Sequence, residues 1–127
     1  MTYTAQKDGF SLRAEIFPMG RDLCVLVTGG EAHIGSISAA TPRPSLANPA
    51  EVSATASTFC YPGHKDGKVG ELFAETLSAR LEKKVAVLCG IHYDHLTKDE
   101  LSAVLSLAKT LLAQVIQGER AEHCDKR

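Results

Sequence analysis

The sequence lacks the charge excess and the long apolar runs that mark several classes of protein. Its formal net charge is −1 over 127 residues. There is therefore no general basic field to hold nucleic acid or an anionic membrane, and any anion must be met by local groups. No apolar run approaches the ~18 residues of a membrane span. The first eight residues lack the apolar core of a signal peptide, so we expect a cytoplasmic protein.

Clustered cysteines and familiar catalytic motifs are also missing. The four cysteines, Cys24, Cys60, Cys89 and Cys124, do not fall at the spacings of zinc fingers or redox pairs. Cys24 and Cys89 lie inside apolar strand patterns, which is typical of small buried hydrophobic residues. The chain contains no nucleophile elbow, HExxH helix or P-loop. These absences argue against the common hydrolase and nucleotide-binding classes.

The remaining composition is that of an ordinary globular chain, with 44% hydrophobic and 23% charged residues. At this length we expect a single domain over residues 1–127, with its core at about 10–117 and a flexible tail at 118–127. Alternation and turn signals predict four strands, then helix, strand and helix. The expected bounds are 10–17, 22–28, about 33–41 and about 52–61 for the strands, then helix 68–82, strand 84–92 and a helix from 97.

The last helix has the clearest start. Thr97 and Glu100 have the spacing of a capping box, and Leu96 is placed to staple onto Leu101. Gly118 is placed to end this helix.

The order ββββ-α-β-α predicts an α+β fold with a mostly antiparallel sheet. Four consecutive strands with short links favour a meander, and two one-sided helices favour cover on one face only. The strands at 22–28 and 84–92 are apolar on both sides, which indicates burial on both faces. A second copy of the chain is the simplest cover for the face without helices, so we expect a homodimer.

This topology brings polar residues to one end of the sheet. His33, His64, Lys65, His92, Asp94 and His95 are expected to share that rim. Three interpretations remain open. The rim is a transition-metal site, an acid–base site in which histidine acts with Asp94, or a set of ordinary polar loop tips in which Asp94 caps a helix.

A second motif is the stiff run from 41 to 45, Thr-Pro-Arg-Pro-Ser. Pro42 and Pro44 fix the backbone on either side of Arg43, whose guanidinium offers a planar fork for phosphate or carboxylate. The simpler interpretation is a rigid loop carrying a solvated arginine. Arg43 follows the end of its strand opposite to the histidine rim, so the two can meet only across a two-fold interface.

Taken together, the segments 20–36, 40–45, 63–65 and 90–97 resemble a specific family. They are similar to the small D subunit encoded beside gallate and hydroxybenzoate decarboxylases, a family of prenylated-flavin chaperones. The similarity covers about residues 10–117. It implies a fold like that of the proteasome-assembly chaperones and a homodimer. It also implies a non-catalytic carrier that transiently binds reduced prenylated FMN and passes it to a UbiD-type decarboxylase.

The resemblance and the side-chain chemistry together give the candidate cofactor-binding residues. Donors suited to a phosphate are Arg43, Ser45, His64 and Lys65, and the polar residues near the expected site are His33, Ser36, His92 and Asp94. Gly35, Ser36, Ala39 and Gly90 are small enough to let a flat ring approach the sheet. Two alternatives stay open: a structural or regulatory subunit of the decarboxylase that carries no flavin, and a small metal-dependent enzyme.

Overall fold

The computed structural model describes residues 1–62 and 67–125, which form a six-stranded sheet and two helices. The α+β class and the succession of elements from the second strand onward agree with the sequence prediction. The first strand is an addition, because its short polar sequence gave no clear alternation. The elements in chain order are β1 (Thr2–Lys7), β2 (Phe10–Met19), β3 (Asp22–Gly30), β4 (Ser36–Pro44), β5 (Val52–Cys60), α1 (Gly67–Leu81), β6 (Val85–His92) and α2 (Lys98–Asp125).

The strand order is β1-β2-β3-β6-β4-β5, so the predicted meander is wrong. β6 lies between β3 and β4, parallel to β3 and antiparallel to β4. The other pairs, β1 with β2, β2 with β3 and β4 with β5, are antiparallel as expected. The apolarity of β6 on both sides is what a central strand needs, and α1 carries the chain back so that β6 can take that place.

Both helices pack on the same face of the sheet. α1 contacts β4, β5 and β6, whereas α2 contacts β1 and β2. Alternate strand residues point into this layer, and the buried core includes Leu12, Ile16, Val25, Val27, Val87, Phe73, Leu77, Leu111 and Val115. The opposite face carries no helix within the described residues. We call it the open face. Its side chains include Arg13, Glu15, Phe17, Cys24, Leu26, Ile37, Ala39, Thr41, Arg43, Thr55, Ser57, Phe59, Ala86, Leu88 and His92.

β4 runs through the two prolines that were predicted to end it at Thr41. It pairs with β5 as far as Pro44 but with β6 only as far as Ala40. The hydrogen bond from Ser45 N to Glu51 O shows that the odd-numbered amides of this stretch face β5. The nitrogens of Pro42 and Pro44 therefore face the side where β6 has already stopped, and no ladder hydrogen bond is lost. The β4–β5 hairpin projects beyond its neighbour as a stiff arm.

The start of α2 agrees with the predicted capping box. Glu100 N donates to Thr97 Oγ1 and Thr97 N donates to Glu100 Oε1, each at 3.1 Å. The predicted end is wrong, because α2 continues past Gly118 to Asp125. Gly118 instead permits close packing: a Cβ there would lie 2.2 Å from the hydroxyl of Tyr3. Tyr3 in turn donates to Glu119 Oε2 at 2.7 Å, which ties this part of α2 to β1.

α2 also departs from the expectation that no segment could span a membrane. Lys98–Ala121 is long enough to span a membrane, and an 18-residue stretch within it reaches a mean hydropathy of 1.3. In the structure its apolar stripe, which includes Val104, Ala108, Leu111 and Val115, packs against the sheet.

Candidate functional site

A row of large apolar side chains crosses the open face. The register places Leu26 beside Leu88, Leu88 beside Ile37, and Ile37 beside Phe59, across β3, β6, β4 and β5. We call this row the ridge. Ile37 is 38% exposed and Phe59 is 59% exposed, with the ring of Tyr61 packed edge-on against Phe59 at 5.1 Å. A continuous apolar row of this kind is typical of a surface that binds a ligand or a partner.

Beside the ridge lies a row of small side chains. Two residues further along the same strands, the register aligns Cys24, Ala86, Ala39 and Ser57. We call this row the valley, because its side chains are much shorter than those of the ridge. Phe17, which pairs with Cys24 and is 50% exposed, stands at its β2 end. An inserted apolar group could therefore approach the backbone of the sheet closely here.

Arg43 marks one end of the open face. Its Nε donates to Thr55 Oγ1 at 2.7 Å and its Nη1 donates to the carbonyl of Pro44 at 3.0 Å. Arg43 and Thr55 lie on adjacent strands of the projecting hairpin, so the side chain is held on the sheet rather than free in solvent. A guanidinium has five N–H donors, so these two contacts leave a fork edge for an anion.

The histidine rim marks the other end. His92 closes β6 with the same side-chain direction as Leu88, so its ring belongs to the open face. Its Nε2 lies 2.9 Å from Asp94 Oδ1, and the ring of His33 stands edge-on to it at 6.1 Å. His33 itself faces the carbonyl of Glu31 through Nδ1 at 3.1 Å. The structure therefore brings His33, His92 and Asp94 together, as the sequence predicted.

The β3–β4 connection (31–35) closes this end of the face. Glu31 N donates to His92 O at 3.0 Å and Gly35 N donates to Cys89 O at 2.9 Å, so the connection follows the end of β6. The backbone of His33 lies so close to Gly90 that a Cβ on Gly90 would be 1.7 Å from the His33 carbonyl oxygen. Gly90 is thus needed for the chain to cross here. It does not offer an open floor for a flat ring.

The remaining predicted residues divide into three groups. Ser36 is fully buried on the helix-covered face, beneath Gly70 of α1, and so does not share a surface with Arg43. Ser45 Oγ accepts hydrogen bonds from Ala47 N and Asn48 N and thereby shapes the hairpin turn. His64 and Lys65 lie outside the described residues.

The metal interpretation has no geometric support in the described part of the chain. Among residues 1–62 and 67–121, the His, Cys, Asp and Glu side chains form no group of three or more that could hold an ion. His92 and Asp94 make a pair, and His95, with φ +55°, turns the chain toward α2. Chemically, the rim can donate hydrogen bonds and offer a carboxylate.

Sequence reasoning missed three residues of this face: Thr55, Ile37 and Phe59. A strand was predicted at about 52–61, but which residues lie beside it across the sheet depends on the register with β4. Only the insertion of β6 between β3 and β4 joins Ile37 and Phe59 to Leu26 and Leu88. The one signal in the sequence was an aromatic residue, Phe59, in a run of small residues.

Comparison with known proteins gives three findings. The family model described as the prenylated flavin chaperone LpdD-like domain matches residues 6–119. Protein LpdD of Lactiplantibacillus plantarum is 27% identical over 121 residues, which cover 91% of this chain and 82% of that protein. Among solved structures, a chain of a chaperone complex for yeast 20S proteasome assembly is similar at 10% identity and a TM-score of 0.44. That similarity covers 88% of this chain and 98% of the other.

Proposed function

Because this chain belongs to the family of prenylated flavin chaperone LpdD-like domains, we propose that it binds reduced prenylated FMN and delivers it to a UbiD-type aromatic-acid decarboxylase. The chain is an accessory protein of chaperone type, and the chemistry of decarboxylation belongs to the partner enzyme. We expect the protein to act in the cytoplasm, together with the enzyme that it serves.

The observation that carries the proposal is the pairing of an apolar row and a fixed guanidinium on one uncovered sheet face. A prenylated flavin has a large apolar ring system at one end and a phosphate at the other. At the β5 edge of the sheet, the exposed rings of Phe59 and Tyr61 supply apolar contact at the margin of the face, where a ring system stays accessible. Burial of apolar surface contributes about 25 cal/mol per Å², so a ring system that is only partly covered still gains binding free energy.

Arg43 is the residue best suited to hold the phosphate. Its contacts with Thr55 and Pro44 pre-orient the guanidinium, so less side-chain entropy is lost when an anion binds. The formal net charge of −1 means that this recognition is local. His33, His92 and Asp94 supply further polar contacts at the other end of the face. Ser36, which is buried beneath α1, is not part of this proposed site.

We infer that the protein acts as a homodimer built on the open face. Leu26 and Leu88 are half-buried and Ile37 and Phe59 are exposed, on a face that no described helix covers. A second copy would bury the ridge while leaving polar residues at both ends. Such an interface leaves the cargo accessible at its margins, as release to an enzyme requires.

A transfer experiment tests the carrier role. The protein is loaded anaerobically with reduced prenylated FMN, separated from unbound flavin by gel filtration, and mixed with the cofactor-free decarboxylase. The proposal predicts that flavin elutes with the isolated protein and that the decarboxylase then gains activity. The proposal fails if no flavin elutes with the protein, or if the loaded protein does not activate the enzyme.

The second candidate is a structural or regulatory subunit without flavin. The exposed ridge would favour it equally if the decarboxylase itself covered that surface. This alternative predicts that the two proteins co-purify at a fixed stoichiometry and that the isolated chain binds no flavin.

A further inference from the structure

We propose that two copies interlock through their open faces, with the ridge of each in the valley of the other, and that each cofactor site is thereby completed by two chains. Arg43 comes from one chain, and His33, His92 and Asp94 come from its partner. This inference rests on the proposed function, because it assigns residues to the proposed dimer and its cofactor site.

The open face is self-complementary in shape, because a row of large side chains lies beside a row of small ones. Sheets packed face to face lie about 10 Å apart with their strands nearly aligned, and side chains from the two faces interdigitate. The ridge lies at the level of Ile37 on β4 and the valley at the level of Ala39. A two-fold axis in the interface, perpendicular to the strands and midway between these levels, places each ridge against the other copy's valley. The same patch then serves both copies, as an isologous interface requires.

The same two-fold axis also relates the two polar ends of the open face. Arg43 lies five residues along β4 from the midpoint between Ile37 and Ala39. On the other side of the midpoint, Ser36 pairs with Cys89, so His92 stands three residues beyond the level of Ser36. His92 is therefore also five residue levels from the axis. The two-fold operation places β4 over β4, so Arg43 of one copy comes to the level of His92 of the other, which lies on the adjacent strand β6.

Charge complementarity supports this arrangement. Asp94, whose side chain is 75% exposed and contacts His92, would lie near the Arg43 guanidinium of the other copy, where opposite charges attract while the fork edge stays directed at the cofactor phosphate. Within one copy the level of Ser36 is about 23 Å from that of Arg43 by strand rise, so the two ends cannot meet. The pairing occurs twice in a dimer, once at each end of the interface.

The other simple two-fold packing is disfavoured. An axis parallel to the strands keeps every residue at its own level, so the ridge would meet the ridge and Arg43 would come to the level of Arg43. The large side chains of the two ridges would then clash, and the space between the two valleys would stay unfilled. The two Arg43 side chains would also approach each other. The perpendicular axis avoids both problems.

A charge exchange tests the pairing without any ligand. Arg43→Asp and Asp94→Arg each place like charges together, and each should raise the dimer dissociation constant roughly tenfold, because the pair occurs twice. The double variant R43D/D94R restores opposite charges and should return close to the wild-type value in sedimentation equilibrium. Additive weakening in the double variant would overturn the proposed register.

A mixing experiment tests the shared site. Arg43→Ala and Asp94→Ala chains are combined, and subunit exchange is confirmed by mass spectrometry of intact dimers. Random mixing makes half of the dimers mixed, and each of these has one intact site, so about a quarter of all sites should bind reduced prenylated FMN normally. If the residues act within one chain, no site recovers, and the inference is wrong while the carrier role survives. If the wild-type dimer binds no prenylated flavin, the proposed function fails, and the charge exchange alone decides the register.

Discussion

Arg43 and Thr55 are joined across the β4–β5 hairpin by a hydrogen bond of 2.7 Å from Nε to Oγ1. The two residues come from different strands, and β6 has already ended beside them. The hairpin therefore holds a guanidinium at the margin of the open face with its fork still available. A mobile arginine on a turn would have to be ordered at the moment of binding.

The role of Thr55 can be tested without touching the arginine. Thr55→Val keeps the branched shape but removes the acceptor, so Arg43 regains rotamer freedom. We expect binding of reduced prenylated FMN to weaken several-fold, while stability falls by about 1 kcal/mol or less. Thr55→Ser keeps the hydroxyl and should bind almost as the wild type does. Equal binding by all three proteins would show that Thr55 does not position the arginine.

Gly90 should be intolerant of even one methyl group. The added Cβ would meet the backbone carbonyl of His33, which cannot move aside as a flexible side chain could. We expect Gly90→Ala to lower the free energy of unfolding by about 1–3 kcal/mol, measured by urea denaturation. Ala47→Ser adds one atom at an exposed position of the hairpin turn, and its effect should stay within about 0.5 kcal/mol. An unchanged Gly90→Ala protein would mean that the 31–35 connection is not fixed over β6.

Gly118 offers a test in which two effects have opposite signs. Helix propensity alone predicts that Gly118→Ala stabilises α2 by about 1 kcal/mol. The packing of Tyr3 against this glycine predicts a net loss, because the new Cβ would lie 2.2 Å from the tyrosine hydroxyl. In a Tyr3→Ala background the obstacle is gone, and the same change should become stabilising. A stabilising effect in the wild-type background would contradict the close packing of β1 on α2.

The ridge should control association. Phe59→Glu places a charge in the proposed interface, at a side chain that is already 59% exposed in the single chain. We expect sedimentation to show a monomer at micromolar concentration with an unchanged far-ultraviolet circular dichroism spectrum, because the fold of the single chain does not need this side chain buried. Leu46→Glu, at an 89% exposed position on the hairpin turn, is the matched control and should stay dimeric. A Phe59→Glu dimer as stable as the wild type would exclude the ridge from the interface.

Features that depend on residues close together in the sequence were predicted best. The capping box at Thr97 and Glu100 depends on residues three apart, and it formed as predicted. The meeting of His33 with His92 needed only the strand directions, and these were also predicted correctly. Strand order was not, because the choice between pairing β4 with β3 or with β6 depends on the path of α1. The end of β4 was missed because the tolerance of Pro42 and Pro44 depends on where β6 stops.

Gly118 and Ser36 were misjudged for a related reason. A glycine near the expected end of a helix suggests a cap, and only the position of Tyr3 shows that it serves close packing. Ser36 begins a strand of small residues, and only the placement of α1 decides which of its faces is covered.

The central claim is that the chain alone recognises reduced prenylated FMN. An anaerobic titration of the isolated protein, followed by flavin absorbance or fluorescence, measures this directly, with ordinary reduced FMN as the comparison. The account predicts saturable binding that is tighter for the prenylated form. It also predicts that Arg43→Ala weakens binding by about 1.5–3 kcal/mol and that Arg43→Lys recovers only part of the loss. Equal binding of the two flavins, or no binding of either, would contradict the account.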